Sequence, residues 1–113
     1  NIIIGTKFAV ELEDGKKLRL TADLFNEDAL IFSDLNSSVV TLKSEAQGKT
    51  VRFDFGDAPF LGIWAKPNAP YVCIEPWYGV NDDRIRYDDI SEKRGIQSLE
   101  PEETFDLVWI AEV

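Results

Sequence analysis

The sequence predicts one mostly antiparallel β domain, a β-sandwich that spans residues 1–113. Strand signals dominate, because short runs of alternating apolar and polar residues recur along the chain and turn residues separate them. No repeat of fixed period, low-complexity run or second domain is visible, and 113 residues of which 44% are hydrophobic suffice for one core. These features favour a sandwich or part of a larger one.

The first predicted element is a hairpin in "KFAVELEDGKKLRLT". Apolar and polar residues alternate from Phe8 to Leu12, the chain turns at Asp14 and Gly15, and the alternation resumes at Leu18. The opening "NIIIG" is apolar and begins abruptly, as a piece of a larger sandwich would.

The middle of the chain predicts one short helical turn and three strands. The turn covers Ala22 to Phe25, and the first strand runs from Ala29 to Ser33. "SVVTLKS" and "KTVRFDFG" predict the other two strands, and the Gly-containing turn "EAQGK" joins them.

Two adjacent strands, "FLGIWAK" and "YVCIEP", follow with a tight reversal between them, because the connection 67–70 has proline at both ends. After Gly79, the polar and acidic segment "VNDDRIRYDDISEKRGIQSLEPEE" predicts a long surface loop. "TFDLVWIAEV" closes the chain as a strand. Both of its faces are partly apolar, which predicts a position inside a sheet and not at an edge.

Composition narrows the classes of partner. Twelve basic residues against 21 acidic ones give a net charge of −9, so neither nucleic acid nor an anionic membrane is expected to bind. No leader peptide or membrane-spanning run is visible, and the single cysteine suits a reducing compartment, which predicts a cytoplasmic location. Phosphate-binding glycine motifs and the G-x-S-x-G motif are absent, so no cofactor is expected.

Two residue types are missing from the sequence. The lack of methionine leads us to expect a processed or cut chain. The lack of histidine removes the commonest general acid or base and the commonest metal ligand, so any chemistry must use carboxylates or groups supplied from elsewhere.

Glu75 is the first candidate for such chemistry. Strand alternation places Val72 and Ile74 on one face and puts Glu75 beside Tyr71 and Cys73 on the other. A carboxylate in those surroundings is expected to have a hydrogen-bond partner or a functional role. The alternative is an ordinary exposed glutamate at a strand end.

Two other groups allow a chemical interpretation but favour a structural one. Acidic residues cluster in the long loop, but their spacing lacks the EF-hand pattern and Arg84 and Arg86 lie among them, which favours a solvated, salt-bridged loop over calcium binding and leaves no metal site predicted. Cys73 has no histidine to activate it, and we expect a small buried residue there, not a nucleophile.

The aromatic residues around Glu75 raise a second possibility. Trp64, Trp77 and Tyr78 lie on or beside two consecutive strands. Such planes pack well against the apolar face of a sugar ring while carboxylates bind its hydroxyls, although core packing is the commoner role of large aromatics.

Longer segments resemble the C-terminal part of the aldose 1-epimerase (galactose mutarotase-like) family, in particular its bacterial LacX-like branch. They are "LFNEDALIFSDLNSSVVTL", "FLGIWAKPNAPYVCIEPWYGVND" and "EKRGIQSLEPEETF", and "GIWAKP" and "CIEPW" are the most specific pieces. The resemblance covers the chain from about Leu18 onward. It implies that these residues form less than half of a large antiparallel supersandwich.

The resemblance also implies an activity and site residues. Family members interconvert the α and β anomers of a free hexose such as galactose or glucose, with a glutamate base and a histidine acid. Glu75 of "CIEPW" would be the base, Asp28 would bind a sugar hydroxyl, and Trp64 and Trp77 would be pocket walls. The histidines belong to the missing N-terminal half, which would be a partner, so the chain by itself is expected to lack turnover. Two alternatives are a non-catalytic carbohydrate-binding module and a structural β domain.

Overall fold

The computed structural model describes residues 12–82 and 87–113 and contains two three-stranded antiparallel sheets. The strands are β1 (Leu30–Ser33), β2 (Val39–Ser44), β3 (Lys49–Asp54), β4 (Phe60–Trp64), β5 (Cys73–Trp77) and β6 (Ile110–Glu112), and a 3₁₀ turn covers Ile90–Glu92. The first sheet has the strand order β1-β4-β5 and the second the order β2-β3-β6. The predicted mostly antiparallel β class is confirmed.

The core lies against one face of the β1-β4-β5 sheet. Alternation turns Leu30 and Phe32 of β1 and Leu61 and Ile63 of β4 to the same face, where they are buried. Phe53, which belongs to the second sheet, packs into the same cluster. The apolar alternation in the sequence therefore decides which face of this sheet meets the rest of the domain.

The five central strand predictions are confirmed in position. The turn between β2 and β3 is also confirmed at 45–48. β4 and β5 pair antiparallel, as predicted, but the connection between them covers residues 65–72 and is longer than the predicted 67–70.

The two predictions before β1 had mixed outcomes. The chain turns at Asp14 and Gly15, both at positive φ, and Glu13 and Lys17 exchange backbone hydrogen bonds of 2.9 and 3.0 Å. The first strand of that hairpin and the opening "NIIIG" fall on residues 1–11, outside the described residues. At 22–25 the chain forms a turn and not a helical turn, with hydrogen bonds from Leu24 to Thr21 and from Asn26 to Asp23.

A strand closes the chain, as predicted, but it is shorter than predicted and does not lie inside its sheet among the described residues. Only Ile110–Glu112 form a strand there, and within the described residues β6 lies at the edge of its sheet beside β3. Val108 is 68% exposed and Trp109 is 54% exposed, although Trp109 stacks on Phe53 with ring centroids 5.5 Å apart. An apolar pattern on both faces indicates burial only where another element covers the strand, and alternation alone does not show that cover.

The described residues of the segment after Gly79, 80–82 and 87–103, form a largely irregular connection, as predicted, apart from the 3₁₀ turn. Across the described ranges 12–82 and 87–113, no helix has the length and apolar character needed to traverse a lipid bilayer.

Leu61 is only 2% exposed and is the most deeply buried large side chain of the core. We expect Leu61→Ala to lower the free energy of unfolding by about 2–5 kcal/mol, because it removes buried methyl groups and leaves a cavity. Urea unfolding followed by circular dichroism measures the change. The matched control is Leu99→Ala at a site that is 50% exposed, where we expect a change within about 0.5 kcal/mol. Equal effects of the two substitutions would contradict this account of the core.

Candidate functional site

Glu75 lies on the face of the β1-β4-β5 sheet that points away from the core. The β4–β5 register pairs Gly62 with Glu75 and Ile63 with Ile74, and Ile74 packs against the core cluster. Alternation therefore turns Glu75 to the opposite face, together with Cys73 and Trp77 of its own strand. The predicted division of this strand into a core face and a Glu75 face agrees with this register.

A hydrogen bond joins Glu75 to Trp77. The indole Nε1–H of Trp77 donates to Oε2 of Glu75 over 3.0 Å, and both side chains are half-buried. Residues two apart on a strand share a face, so the "EPW" sequence brings the carboxylate and the indole to the same side of the sheet. Glu75 therefore has the hydrogen-bond partner that the sequence led us to expect.

Gly62 makes room for this pair. A Cβ at position 62 would lie 3.1–3.4 Å from three atoms of the Trp77 indole. The indole therefore lies across β4, above the position that any larger residue would occupy. Sequence analysis did not identify Gly62 as part of the site. A glycine inside a strand pattern was the available signal, because it often marks the close approach of another group.

Trp64 lies on the other side of Glu75 along the sheet. It pairs with Cys73 across the β4–β5 ladder, two rows from the Gly62–Glu75 pair, while Trp77 lies two rows away in the opposite direction. Trp64 is half-buried and packs edge-on against Tyr71, with ring centroids 6.4 Å apart. By register the two tryptophans therefore lie on either side of Glu75 on one face, and Trp64 also packs against the core cluster.

The end of this face next to Trp77 is covered by the segment after the 3₁₀ turn. The Arg94 guanidinium lies 5.3 Å from the ring centroid of Phe60, the register partner of Trp77. Gly95, at φ +76°, touches this end so closely that a Cβ there would overlap the Tyr78 carbonyl oxygen. Sequence analysis missed Arg94, because the contacts of a residue in an irregular loop cannot be inferred from alternation.

Asp28 lies two residues before β1 and is exposed. Its Oδ1 accepts a 2.7 Å hydrogen bond from the backbone N–H of Ala29, a local contact that fixes the entry to the strand. A sugar-hydroxyl contact of Asp28 stays a prediction.

Local contacts stabilise the acidic loop that follows Gly79. Lys93 forms a 2.6 Å ion pair with Asp82, and Asp89 accepts a 2.8 Å bond from the Ser91 backbone N–H, which lowers the pKa of the Asp89 carboxyl. Asp83, Arg84 and Arg86 lie outside the described residues. Within the described ranges, no three His, Cys, Asp or Glu side chains come together in a group that could hold a metal. Cys73 is a half-buried free thiol.

Tyr78, directly after β5, forms a second polar contact near this face. Its hydroxyl donates to Asp57, and its ring packs edge-on against Phe105 with centroids 4.8 Å apart. The hydrogen bond to the Asp57 carboxyl raises the pKa of Tyr78, because the carboxylate stabilises the protonated phenol.

A shallow cavity of about 210 Å³ lies beside the Phe60 end of the first sheet. Its lining comes from the chain after β1 and from the segment between β3 and β4, with the first residue of β4: Asp34, Leu35, Phe55, Ala58, Pro59 and Phe60. Glu75 does not line this cavity. The carboxylate is therefore identified as a candidate by its contacts with Trp77 and by the flanking aromatics.

Comparison of the sequence with known proteins identifies relatives of this chain. The chain is 35% identical over 94 residues to the plasmid-encoded and the chromosomal LacX proteins of Lactococcus lactis subsp. lactis. The match covers 82% of this chain and 31% of each relative, so the chain spans about a third of the length of these relatives. No protein-family model matches the chain.

A solved structure gives the same result. A galactose mutarotase-related enzyme from Lactobacillus acidophilus matches the fold with a TM-score of 0.64 and 35% sequence identity. That match covers 83% of this chain and 31% of the solved one. The resemblance inferred from "GIWAKP" and "CIEPW" is thereby confirmed as homology over most of the chain.

The Tyr78–Asp57 contact can be tested by titration. We expect the Tyr78 phenol to ionise above pH 10, because its hydrogen bond to the Asp57 carboxylate raises its pKa. Any stability from this contact is present below pH 10 and is lost as the pH rises through the folded-state pKa of Tyr78. Absorbance at the phenolate band measures the ionisation. Tyr78→Phe identifies this step by removing it, and Asp57→Asn should move it to lower pH. An Asp57→Asn titration curve identical to that of the unmodified chain would refute the contact.

Proposed function

Because the chain is homologous to the LacX proteins and matches the fold of a galactose mutarotase-related enzyme, we propose that it carries the general base of a mutarotase-like site. The substrate class is a free hexose such as galactose or glucose, and Glu75 is the base. The observation that supports this most directly is the Glu75 carboxylate, bonded to the Trp77 indole and flanked by two tryptophans on one sheet face. Polar recognition beside aromatic planes suits a sugar ring.

The reaction follows from ordinary acid–base chemistry. Glu75 takes the proton of the anomeric hydroxyl, the C–O bond to the ring oxygen breaks, and an acid protonates that oxygen to give the open-chain aldehyde. Rotation about the bond next to the carbonyl carbon, followed by the reverse proton transfers, closes the ring as the other anomer. A positioned base contributes about 10²–10⁴-fold to such a step.

The acid is the group that this sequence does not supply, since it contains no histidine. The chain spans about a third of its relatives, and in this proposal the rest of a LacX-like protein provides the acid and the remaining sugar contacts. Asp28 is proposed as a sugar-hydroxyl ligand, and Trp64 and Trp77 as walls. The single cysteine of this chain supports a cytoplasmic location for the whole LacX-like protein.

A second candidate function is non-catalytic carbohydrate binding. It is favoured by the two tryptophans beside Glu75, which suit a sugar ring, and by the absence of histidine, which leaves the chain without the acid. The two functions differ in what the 113-residue chain does by itself. A binding module would bind hexose without a partner, whereas a part of a mutarotase site needs the remainder of its protein.

Catalysis can be tested in a chimera in which this chain replaces the matching third of the Lactobacillus acidophilus enzyme. Polarimetry with freshly dissolved α-galactose or α-glucose gives the rate of anomerisation. We expect Glu75→Gln to lower that rate by about 10²–10⁴-fold, because glutamine keeps the shape but cannot accept the proton. The control Glu45→Gln, at an exposed turn position, should leave the rate unchanged. Full activity of the Glu75→Gln chimera would disprove the assignment of the base.

Binding by the unmodified chain is the test of the second candidate. Calorimetric titration with galactose or glucose should give heat in the module hypothesis, and Trp77→Ala should abolish it through loss of the aromatic plane. Titration without detectable binding, alongside an active chimera, would leave the mutarotase proposal and reject the module.

A further inference from the structure

We infer that Trp77 is a positioning residue for Glu75, and that Gly62 is the residue that permits it. This inference rests on the proposed function for its catalytic meaning. Its structural content stands on the contacts among Gly62, Glu75 and Trp77. It gives Trp77 a role different from the pocket wall that sequence and resemblance suggest.

The hydrogen bond fixes one oxygen of the carboxylate and leaves the other available. Trp77 donates to Oε2 of Glu75 over 3.0 Å. The indole has one donor and no acceptor, so it can hold a carboxylate oxygen without competing for the proton that a base must collect. A bond from N–H to an ionised carboxylate is also stronger than a neutral one, which restricts the rotation of a side chain that otherwise has three free torsions.

The backbone between the two side chains is restricted as well. Pro76 lies between Glu75 and Trp77, and its ring fixes φ near −65° and holds the preceding residue in the extended region. β5 is the edge strand of its sheet within the described residues, a location where a proline is tolerated. The "EPW" sequence therefore sets the carboxylate and the indole relative to each other before any ligand arrives.

Gly62 determines how closely the Trp77 indole can approach β4. The Trp77 ring atoms Cε2, Cζ2 and Nε1 lie 3.1, 3.2 and 3.4 Å from where a Cβ at residue 62 would be. A methyl group there would lift the ring, and Nε1, the donor atom itself, is among the atoms displaced. Gly62 thus acts on Glu75 through Trp77, although it has no side chain of its own.

The first test uses the isolated 113-residue chain and needs no sugar chemistry. The sequence has three tryptophans, Trp64, Trp77 and Trp109, so a ¹⁵N-labelled sample gives three indole N–H resonances, assigned by single Trp→Phe variants. Glu75→Gln should shift the Trp77 resonance upfield and speed its hydrogen exchange by about tenfold or more, because a charge-assisted bond becomes neutral or is lost. Gly62→Ala should move the same resonance in the same direction.

Internal controls separate this result from general unfolding. The Trp64 and Trp109 resonances should stay in place in Glu75→Gln and in Gly62→Ala. Trp109, which stacks on Phe53 of the second sheet, gives a further control, because Trp109→Phe should leave the Trp77 resonance unchanged. If Gly62→Ala fails to fold, Glu75→Gln alone decides. A Trp77 resonance that does not respond to Glu75→Gln would overturn the inference.

The second test is the anomerisation rate of the chimera. Trp77→Phe keeps an aromatic plane and removes the donor, so we expect kcat to fall by about tenfold or more while KM changes little. A rise in KM with unchanged kcat would mean that Trp77 is only a wall and would reject the positioning role. Gly62→Ala should add little in the Trp77→Phe background if both act through the same bond, whereas fully additive losses would contradict it.

The two tests also separate the inference from the proposed function. If the Trp77 resonance stays in place in Glu75→Gln and the Glu75→Gln chimera is inactive, the positioning role is rejected and Glu75 is kept as the base. A clear Trp77 shift together with a fully active Glu75→Gln chimera would keep the contact and reject the base.

Discussion

The antiparallel ladder between β4 and β5 is the constraint on which the candidate site depends. It pairs Ile63 with Ile74 and Gly62 with Glu75 in adjacent rows. Because neighbouring residues of a strand point to opposite faces, the row that is buried against the core fixes the row that faces outward. A slip of one residue would turn Glu75 toward Leu61 and the core, where an unpaired carboxylate is strongly disfavoured.

The packing of the core therefore also determines the geometry of the candidate site. Leu61 and Ile63 hold the register of β4 through burial, and the register places a glycine opposite the carboxylate and under the indole. Hydrophobic burial supplies the free energy that selects this pairing over its shifted alternatives, while the polar contact adds orientation. The residues that provide the burial and those that make the polar contact lie in the same short segments, "LGI" and "IEPW".

Sequence reasoning succeeded where alternation and turn residues decide the structure. The five strands from Leu30 to Trp77 and the outward orientation of Glu75 follow from period-two patterning. It predicted a strand at the C-terminus but not the edge position of β6 among the described residues, because apolar residues on both faces of a strand carry no information about what covers them. Gly62 and Arg94 were missed for other reasons. The first contributes only the absence of a side chain, and the second reaches Phe60 from an irregular loop.

The uncovered C-terminal strand and the missing acid have one explanation under the proposed function. Val108 and Trp109 form an exposed apolar stretch beside an edge strand, a combination that favours association with another polypeptide segment. The LacX proteins are about three times as long as the region that this chain matches. Packing of the remainder of such a protein against this chain would cover these side chains, and in the proposed function the same remainder supplies the acid. The base can be pre-oriented by Trp77 and Gly62 before that packing, because among the described residues the contacts that orient it lie within β4 and β5.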